Sequence, residues 1–270
     1  MRHGSLFSGI GGFDLAAQWM GWENVFQVEW DGYCQKVLAK NFPNVKRYGD
    51  IKEFDGTKYR GLIDIITGGF PCQPYSMAGK RKGKEDERHL WPEMLRVIGE
   101  IQPGWVLGEN VPGIINWSRG MVFHEVQTDM EAKGYEIFPV ILPAISVNAP
   151  HKRERIWFIA YSEGFSRRNG IRNDKYKTQK ISQKRFNESI SIANSKKQRL
   201  EGTDTKGDIS TRGWIMQHPG FDGFPTQSPI CGRNDGISNR VDRIKGLGNA
   251  IVPQVAYQIF KAIEQYNNLK

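Results

Sequence analysis

The chain holds 270 residues, 39% of them hydrophobic and 25% charged, with a formal net charge of +9. No apolar run approaches the ~20 residues of a membrane-spanning helix, so the composition points to a globular protein of one large domain with a smaller lobe. The three cysteines, Cys34, Cys72 and Cys231, are odd in number and widely spaced, which argues against a disulfide framework, and no CxxC pair or His/Cys cluster suggests a metal site.

Met1–Leu6 lacks the apolar core of a signal peptide, so a cytoplasmic protein is expected. Ser5-Leu6-Phe7 reads as a strand followed by a glycine turn. Phe13, Ala16, Ala17 and Met20 recur at helical spacing, with Gly21 as a stop. Val25 to Glu29 reads as a second strand, and Asp31 as the cap of a helix with Cys34, Val37 and Leu38 inside. Leu62 to Ile66 is a buried-type strand ending in Gly68-Gly69. A helix with Met94, Val97, Ile98 and Ile101 on one face leads to a strand at Trp105-Val106-Leu107. Val122, Phe123, Val126 and Met130 mark another helix, and 137–142 and 156–160 two late strands. The pattern predicts a doubly wound α/β fold, a mostly parallel sheet with helices on both faces and ligands at the carboxyl ends of the strands. Residues 162–215 are polar and supply +7 of the +9 net charge, which favours a polyanion such as nucleic acid, or else a solvated loop. An apolar stripe from Val252 to Ile263 closes the chain, with Pro253 in the first turn of its helix.

Residues with chemistry gather at strand ends. Phe7-Ser8-Gly9-Ile10-Gly11-Gly12 lets the backbone approach a ligand, although any tight strand-to-helix turn could look alike. Glu29 and Asp50 follow the next strands, where a carboxylate binds ribose hydroxyls or simply caps a helix. In Pro71-Cys72-Gln73-Pro74, proline stiffens the backbone on both sides of a thiol. The glycine-hinged run Lys80-Arg81-Lys82-Gly83-Lys84 reads as a lid over phosphates or a solvated loop. Glu109 leaves a buried strand as a candidate acid of raised pKa, or a helix cap. Arg153 and Arg155, two apart, are expected on one face of a strand, to hold a carboxylate, a base or phosphates, or to form a structural ion pair. Gly248-Asn249-Ala250 before the last helix is a ligand contact or plain capping chemistry.

In their order, these motifs resemble the cytosine-5 DNA methyltransferase family, including its short bacterial and phage enzymes, over residues 4–160 and roughly 232–263. The resemblance implies a Rossmann-like S-adenosylmethionine-dependent fold in residues 1–161, a small basic target recognition region at 162–235 and a return to the catalytic domain at 236–270. It implies cofactor contacts at Phe7, Ser8, Gly9, Ile10, Gly11, Gly12, Glu29, Trp30, Asp50, Ile51, Pro71, Leu90, Asn249 and Ala250. It makes Cys72 the nucleophile, Glu109 the acid and Arg153 and Arg155 the paired arginines, with DNA contacts from Gln73, Ser76, Lys80, Arg81, Lys82 and Lys84. The partner is double-stranded DNA, the product S-adenosylhomocysteine, and the default state a monomer with no metal or membrane, with a restriction endonuclease as a counterpart in the cell. The sequence departs from the family at His151, where Gln is usual, and at Ala78, where some relatives have serine.

The chemistry explains the set. A thiolate adding to carbon 6 of cytosine turns the ring into an enamine, which carbon 5 needs to take a methyl group. A proton from Glu109 to N3 neutralises the ring, Arg155 holds O2 and Arg153 supports it. The base must leave the stacked duplex to be reached. An RNA cytosine-5 methyltransferase would share these residues, and a non-catalytic DNA-binding module would not need them. A nicotinamide enzyme fits neither the glycine spacing nor the Pro-Cys-Gln loop.

Overall fold

Apolar runs become strands wherever a neighbouring strand is present to take their hydrogen bonds. The computed structural model describes residues 1–71, 90–162 and 246–269. All of these lie in one compact unit built from Met1–Arg172 and Val241–Lys270. The basic region expected at 162–235 falls, but for Ser162, outside the described residues. The strands are β1 (Arg2–Leu6), β2 (Glu23–Val28), β3 (Lys46–Tyr48), β4 (Ile65–Gly68), β5 (Trp105–Asn110), β6 (Tyr135–Pro143) and β7 (Glu154–Ser162). They form one sheet in the order β3-β2-β1-β4-β5-β7-β6. The first five are parallel, and β7 runs antiparallel between β5 and β6.

Side chains alternate across each strand, and the two sets feed two cores. Ile66, Val106 and Phe158 pack under α3 (Trp91–Ile101) and α4 (Met121–Ala132) with Met94, Ile98 and Val126. Ile65, Leu107 and Trp157 pack on the other face under α1 (Gly12–Trp19) and α5 (Pro253–Asn268) with Phe13, Ala16, Ile259 and Phe260. The doubly wound fold expected from the sequence is therefore the observed one. Helix α2 (Gly32–Asn41) begins as expected: Asp31 accepts hydrogen bonds from the Tyr33 and Cys34 amides at 3.0 and 3.1 Å.

The fourth strand starts later than its apolar run. Leu62 is 46% exposed and follows Gly61, which turns the chain at φ 71°. The sheet begins at Arg2, whose amide donates to the Asp64 carboxylate at 2.6 Å, so residue 62 has no neighbour to pair with. Strand order reverses between β1 and β4, the crevice where doubly wound folds bind ligands.

Beneath α1 lies a buried polar row. His3, Ser5, Asp14, Gln27 and Thr67 are all fully buried. The His3 ring bonds Asn24 at 2.7 Å and Thr67 at 2.8 Å, while the Gln27 amide donates to Asp14 Oδ1 at 2.9 Å. Burial pushes the Asp14 carboxyl above its ordinary pKa, opposed by the nearby His3 and by hydrogen bonding from Gln27 and Ser5. A raised carboxyl loses stability as pH climbs from its unfolded pKa through its folded one. Asp14→Asn keeps the bond from Gln27 and removes that loss. It should stabilise the chain by about 1 kcal/mol at neutral pH, roughly 2–4 °C in Tm, with the gain growing towards alkaline pH in calorimetry. A Tm that falls at every pH would contradict this.

Candidate active site

The glycine turn takes its shape from three left-handed residues, Phe7, Gly9 and Gly11, at φ 50°, 55° and 89°. The Ser8 amide donates to the Val28 carbonyl at 3.1 Å, which ties the turn to the end of β2. The Gly9 amide donates to Glu29 Oε2 at 2.7 Å, and the Asp31 amide to Glu29 Oε1 at 2.8 Å. Glu29 thus braces the turn against the start of α2. Beside it the Trp30 indole is 77% exposed. Asp50 caps the short helical turn Ile51–Glu53 by accepting from the Lys52 amide at 2.9 Å, and Ile51 is buried. Asp50 thus caps a helical turn and Glu29 braces a loop, and both sit at carboxyl ends of strands.

The turn is wedged between two walls. A Cβ on Gly11 would lie 2.6 Å from the Phe42 ring, and one on Gly12 would lie 2.7 Å from the Ile251 carbonyl oxygen and 2.8 Å from Ile251 Cβ. The neighbour of Gly12 is largely backbone, which cannot step aside as a flexible side-chain end does. Gly12→Ala should cost about 1–3 kcal/mol through forced backbone movement. Calorimetry should read this cost as a lower Tm. An unchanged Tm would show that the approach is not tight.

The second half of the site lies at the ends of β4, β5 and β7. Glu109 on β5 pairs in register with Trp157, and Arg155, two residues along β7, reaches back to it. Arg155 Nε lies 2.8 Å from Glu109 Oε1, and the Glu109 side chain is only 12% exposed. Burial pushes the Glu109 carboxyl up to about 7, against the pull of Arg155 and Arg153 in the other direction. A guanidinium only donates, so the proton of neutral Glu109 sits on Oε2. That oxygen is 3.5 Å from where a Cβ on Gly69 would stand, at the end of β4. Oε2 therefore faces the strand end that leads into Pro71.

Asn110 fixes that strand end. Its amide donates to the Phe70 carbonyl at 3.2 Å, and its oxygen accepts from the Val111 amide at 2.8 Å. The Phe70 ring is buried against Trp91 and Phe158, with centroids at 5.1 and 6.1 Å. Leu90 is half-buried against the same core and accepts the first bond of α3, from the Met94 amide at 3.1 Å. Pro71 is half-buried at the edge of the described chain. Cys72, Gln73, Ser76, Lys80, Arg81, Lys82 and Lys84 lie outside the described residues.

The arginine pair departs from the sequence expectation. Strand β7 starts at Glu154, and Arg153 precedes it with φ 34°. The two arginines therefore do not share a strand face. Arg153 Nη2 donates to the carbonyls of Gly248 and Ala250 at 2.9 and 2.7 Å. Asn249 lies between these carbonyls, and the segment reaches the glycine turn, with Ile10 Cγ2 3.3 Å from a Cβ placed on Gly246. The roles of Asn110 and Ile251 go beyond the sequence reading, because each depends on a backbone group far away in the chain. Among the described residues no group of three or more His, Cys, Asp or Glu could hold a metal, and no helix is long and apolar enough to cross a membrane.

Comparison with known proteins gives consistent matches. The family model described as C-5 cytosine-specific DNA methylase matches residues 1–220. Type II methyltransferase M.Eco47II of Escherichia coli is 40% identical over 159 residues, 57% of this chain and 38% of that protein. Type II methyltransferase M.HhaI of Haemophilus parahaemolyticus is 36% identical over 170 residues, 63% of this chain and 51% of that one. The chain thus spans 38–51% of the length of these curated relatives. The crystal structure of the S. pombe Dnmt2 methyltransferase superposes with a TM-score of 0.60 over 99% of both chains, and at 17% identity it shows a shared fold alone.

Proposed function

Because the chain belongs to the C-5 cytosine-specific DNA methylase family, we propose that it methylates carbon 5 of a flipped cytosine in a specific double-stranded DNA sequence. The observation that carries this reading is Glu109: a buried acid with its carboxyl at about 7, held by Arg155 and aimed at the strand end that leads to Cys72. S-adenosylmethionine, when bound, supplies the methyl group as an electrophilic sulfonium carbon. The residues fit such a group: a turn whose left-handed Gly9 and Gly11 leave backbone open to a ligand, the exposed Trp30 indole for a flat ring, and the Glu29 carboxylate at the end of β2 for ribose hydroxyls. Phe7 to Gly12, Glu29, Trp30, Asp50, Ile51, Pro71, Leu90, Asn249 and Ala250 would hold it.

In this reading the Cys72 thiolate adds to carbon 6 and electron density moves to carbon 5. Glu109 gives its Oε2 proton to N3, and Arg155, already donating to Oε1, keeps the carboxyl oriented as it ionises. After methylation a water takes the carbon-5 proton, the Cys72–C6 bond breaks to restore the thiolate, and N3 returns its proton to Glu109, which resets the acid. Gln73, Ser76, Lys80, Arg81, Lys82 and Lys84 contact the DNA, and residues 162–235 read its sequence. We place the protein in the cytoplasm, as a monomer in a restriction–modification setting like that of its Type II relatives, with an endonuclease as counterpart.

The test is expression alongside plasmid DNA, followed by bisulfite sequencing. Cytosines protected in one fixed context, and absent with empty vector, are the expected result. Protection of cellular RNA but not DNA would overturn the substrate, and protection of neither would overturn the activity.

A further inference from the structure

Residues 246–252 form one wall of the glycine turn but join no strand. They pack by contact alone on two sides, Ile251 against Gly12 and the Ile251 Cδ1 atom 3.4 Å from a Cβ placed on Gly69. Within the segment, the Ala250 amide donates to the Leu247 carbonyl at 3.3 Å. Among the described residues, Val252 is tied to the start of α5 by the Val255 and Ala256 amides at 3.1 and 3.4 Å, and the side-chain hydrogen bonds to this wall come from Arg153, to the carbonyls of Gly248 and Ala250. A guanidinium suits this task, because its planar fork presents several donors at once.

From this arrangement we propose that Arg153 is a positioning residue, which staples the C-terminal return of the chain over the cofactor pocket and does not touch the target base. The inference rests on the methyltransferase reading for its cofactor, but the staple itself is a contact between residues of this chain.

Two further observations support the role. Arg153 holds φ 34°, a left-handed conformation that a non-glycine residue keeps only when its surroundings demand it. That turn lifts its side chain off the face of β7 and towards Gly248, while the Arg153 carbonyl still accepts from the Ala144 amide at 3.2 Å. Arg155, in contrast, stays on the strand and takes Glu109. The pair divides its labour: one guanidinium serves the acid, and the other closes the wall that carries Asn249 and meets Gly12 through Ile251.

The experiment compares wild type, Arg153→Ala and Arg153→Lys on the full chain. Hydrogen exchange read by mass spectrometry needs no ligand. Peptides covering 246–252 should exchange at least about tenfold faster in Arg153→Ala, which corresponds to about 1.4 kcal/mol of local opening, while β4 and β5 keep their protection. Arg153→Lys, with a point charge in place of a fork, should fall between the two. Titration with S-adenosylhomocysteine should show a matching rise in Kd, and the rise in cofactor KM should exceed any fall in kcat. Unchanged exchange at 246–252 overturns the staple whatever the activity. A fall in kcat with unchanged S-adenosylhomocysteine affinity and exchange would make Arg153 a base contact. If wild-type protein binds no S-adenosylhomocysteine, the methyltransferase reading fails, and the exchange result still decides the staple.

Discussion

Replacing Cys72 with alanine is expected to leave every plasmid cytosine unmodified and to end covalent capture of DNA carrying 5-fluorocytosine, a loss on the order of 10⁴-fold or more. The size of the effect follows from the chemistry. Carbon 5 of cytosine is too weak a nucleophile until a group adds at carbon 6, and only a thiolate both attacks well and leaves again. Removing it deletes the intermediate, and positioning cannot substitute. The fluorine variant sharpens the test, because fluorine cannot depart as a proton does and the adduct stays trapped. The structure shows how the approach to this residue is held: the Phe70 ring is locked in the core and the Phe70 carbonyl is bonded by Asn110. Residual capture by Cys72→Ala would assign the attack to another group.

What the sequence reveals depends on how local the cause is. The apolar runs that become β4 and β5 announce buried parallel strands by themselves, and glycines after β1 and β4 announce tight turns, so the doubly wound sheet is readable without coordinates. The three residues of β3 are not, because Lys46-Arg47-Tyr48 has no apolar pattern and pairs only with β2 at the sheet edge. Glu109 is readable as an acid because it follows a buried strand, but its setting is not. The 2.8 Å contact from Arg155 arises from the antiparallel placement of β7 beside β5, a tertiary fact. Arg153 shows the limit most clearly. A spacing of two predicts a shared strand face, and one left-handed residue at the strand boundary cancels it. Periodicity cannot anticipate a strand that starts one residue late.

Glu109→Gln is expected to lower kcat by about 10²–10⁴-fold, the range for loss of a positioned proton donor. Its pH profile separates proton transfer from simple hydrogen bonding. The Glu109 carboxyl ordinarily titrates near 4.5 and is raised to about 7, with burial outweighing the attraction of Arg155 and Arg153. An acid that must hold its proton works below its folded pKa and fails as pH climbs through it. Wild-type kcat/KM should therefore decline about tenfold per pH unit above roughly 7. Glutamine donates a hydrogen bond but transfers no proton, so the Glu109→Gln profile should lose that decline while staying low throughout. Stability should move the opposite way. A carboxyl raised on folding contributes stability below its unfolded pKa and loses it as pH rises through the folded value. Between pH 4.5 and about 7, that loss amounts to roughly 3 kcal/mol at 1.36 kcal/mol per pKa unit. The amide does not ionise, so Glu109→Gln should gain on wild type in denaturant unfolding as pH rises, most clearly near pH 8. A less active and more stable variant is the signature of a group strained for its chemistry. If the variant is instead inactive and equally destabilised at all pH values, Glu109 serves the packing around Arg155, and the proton must come from elsewhere.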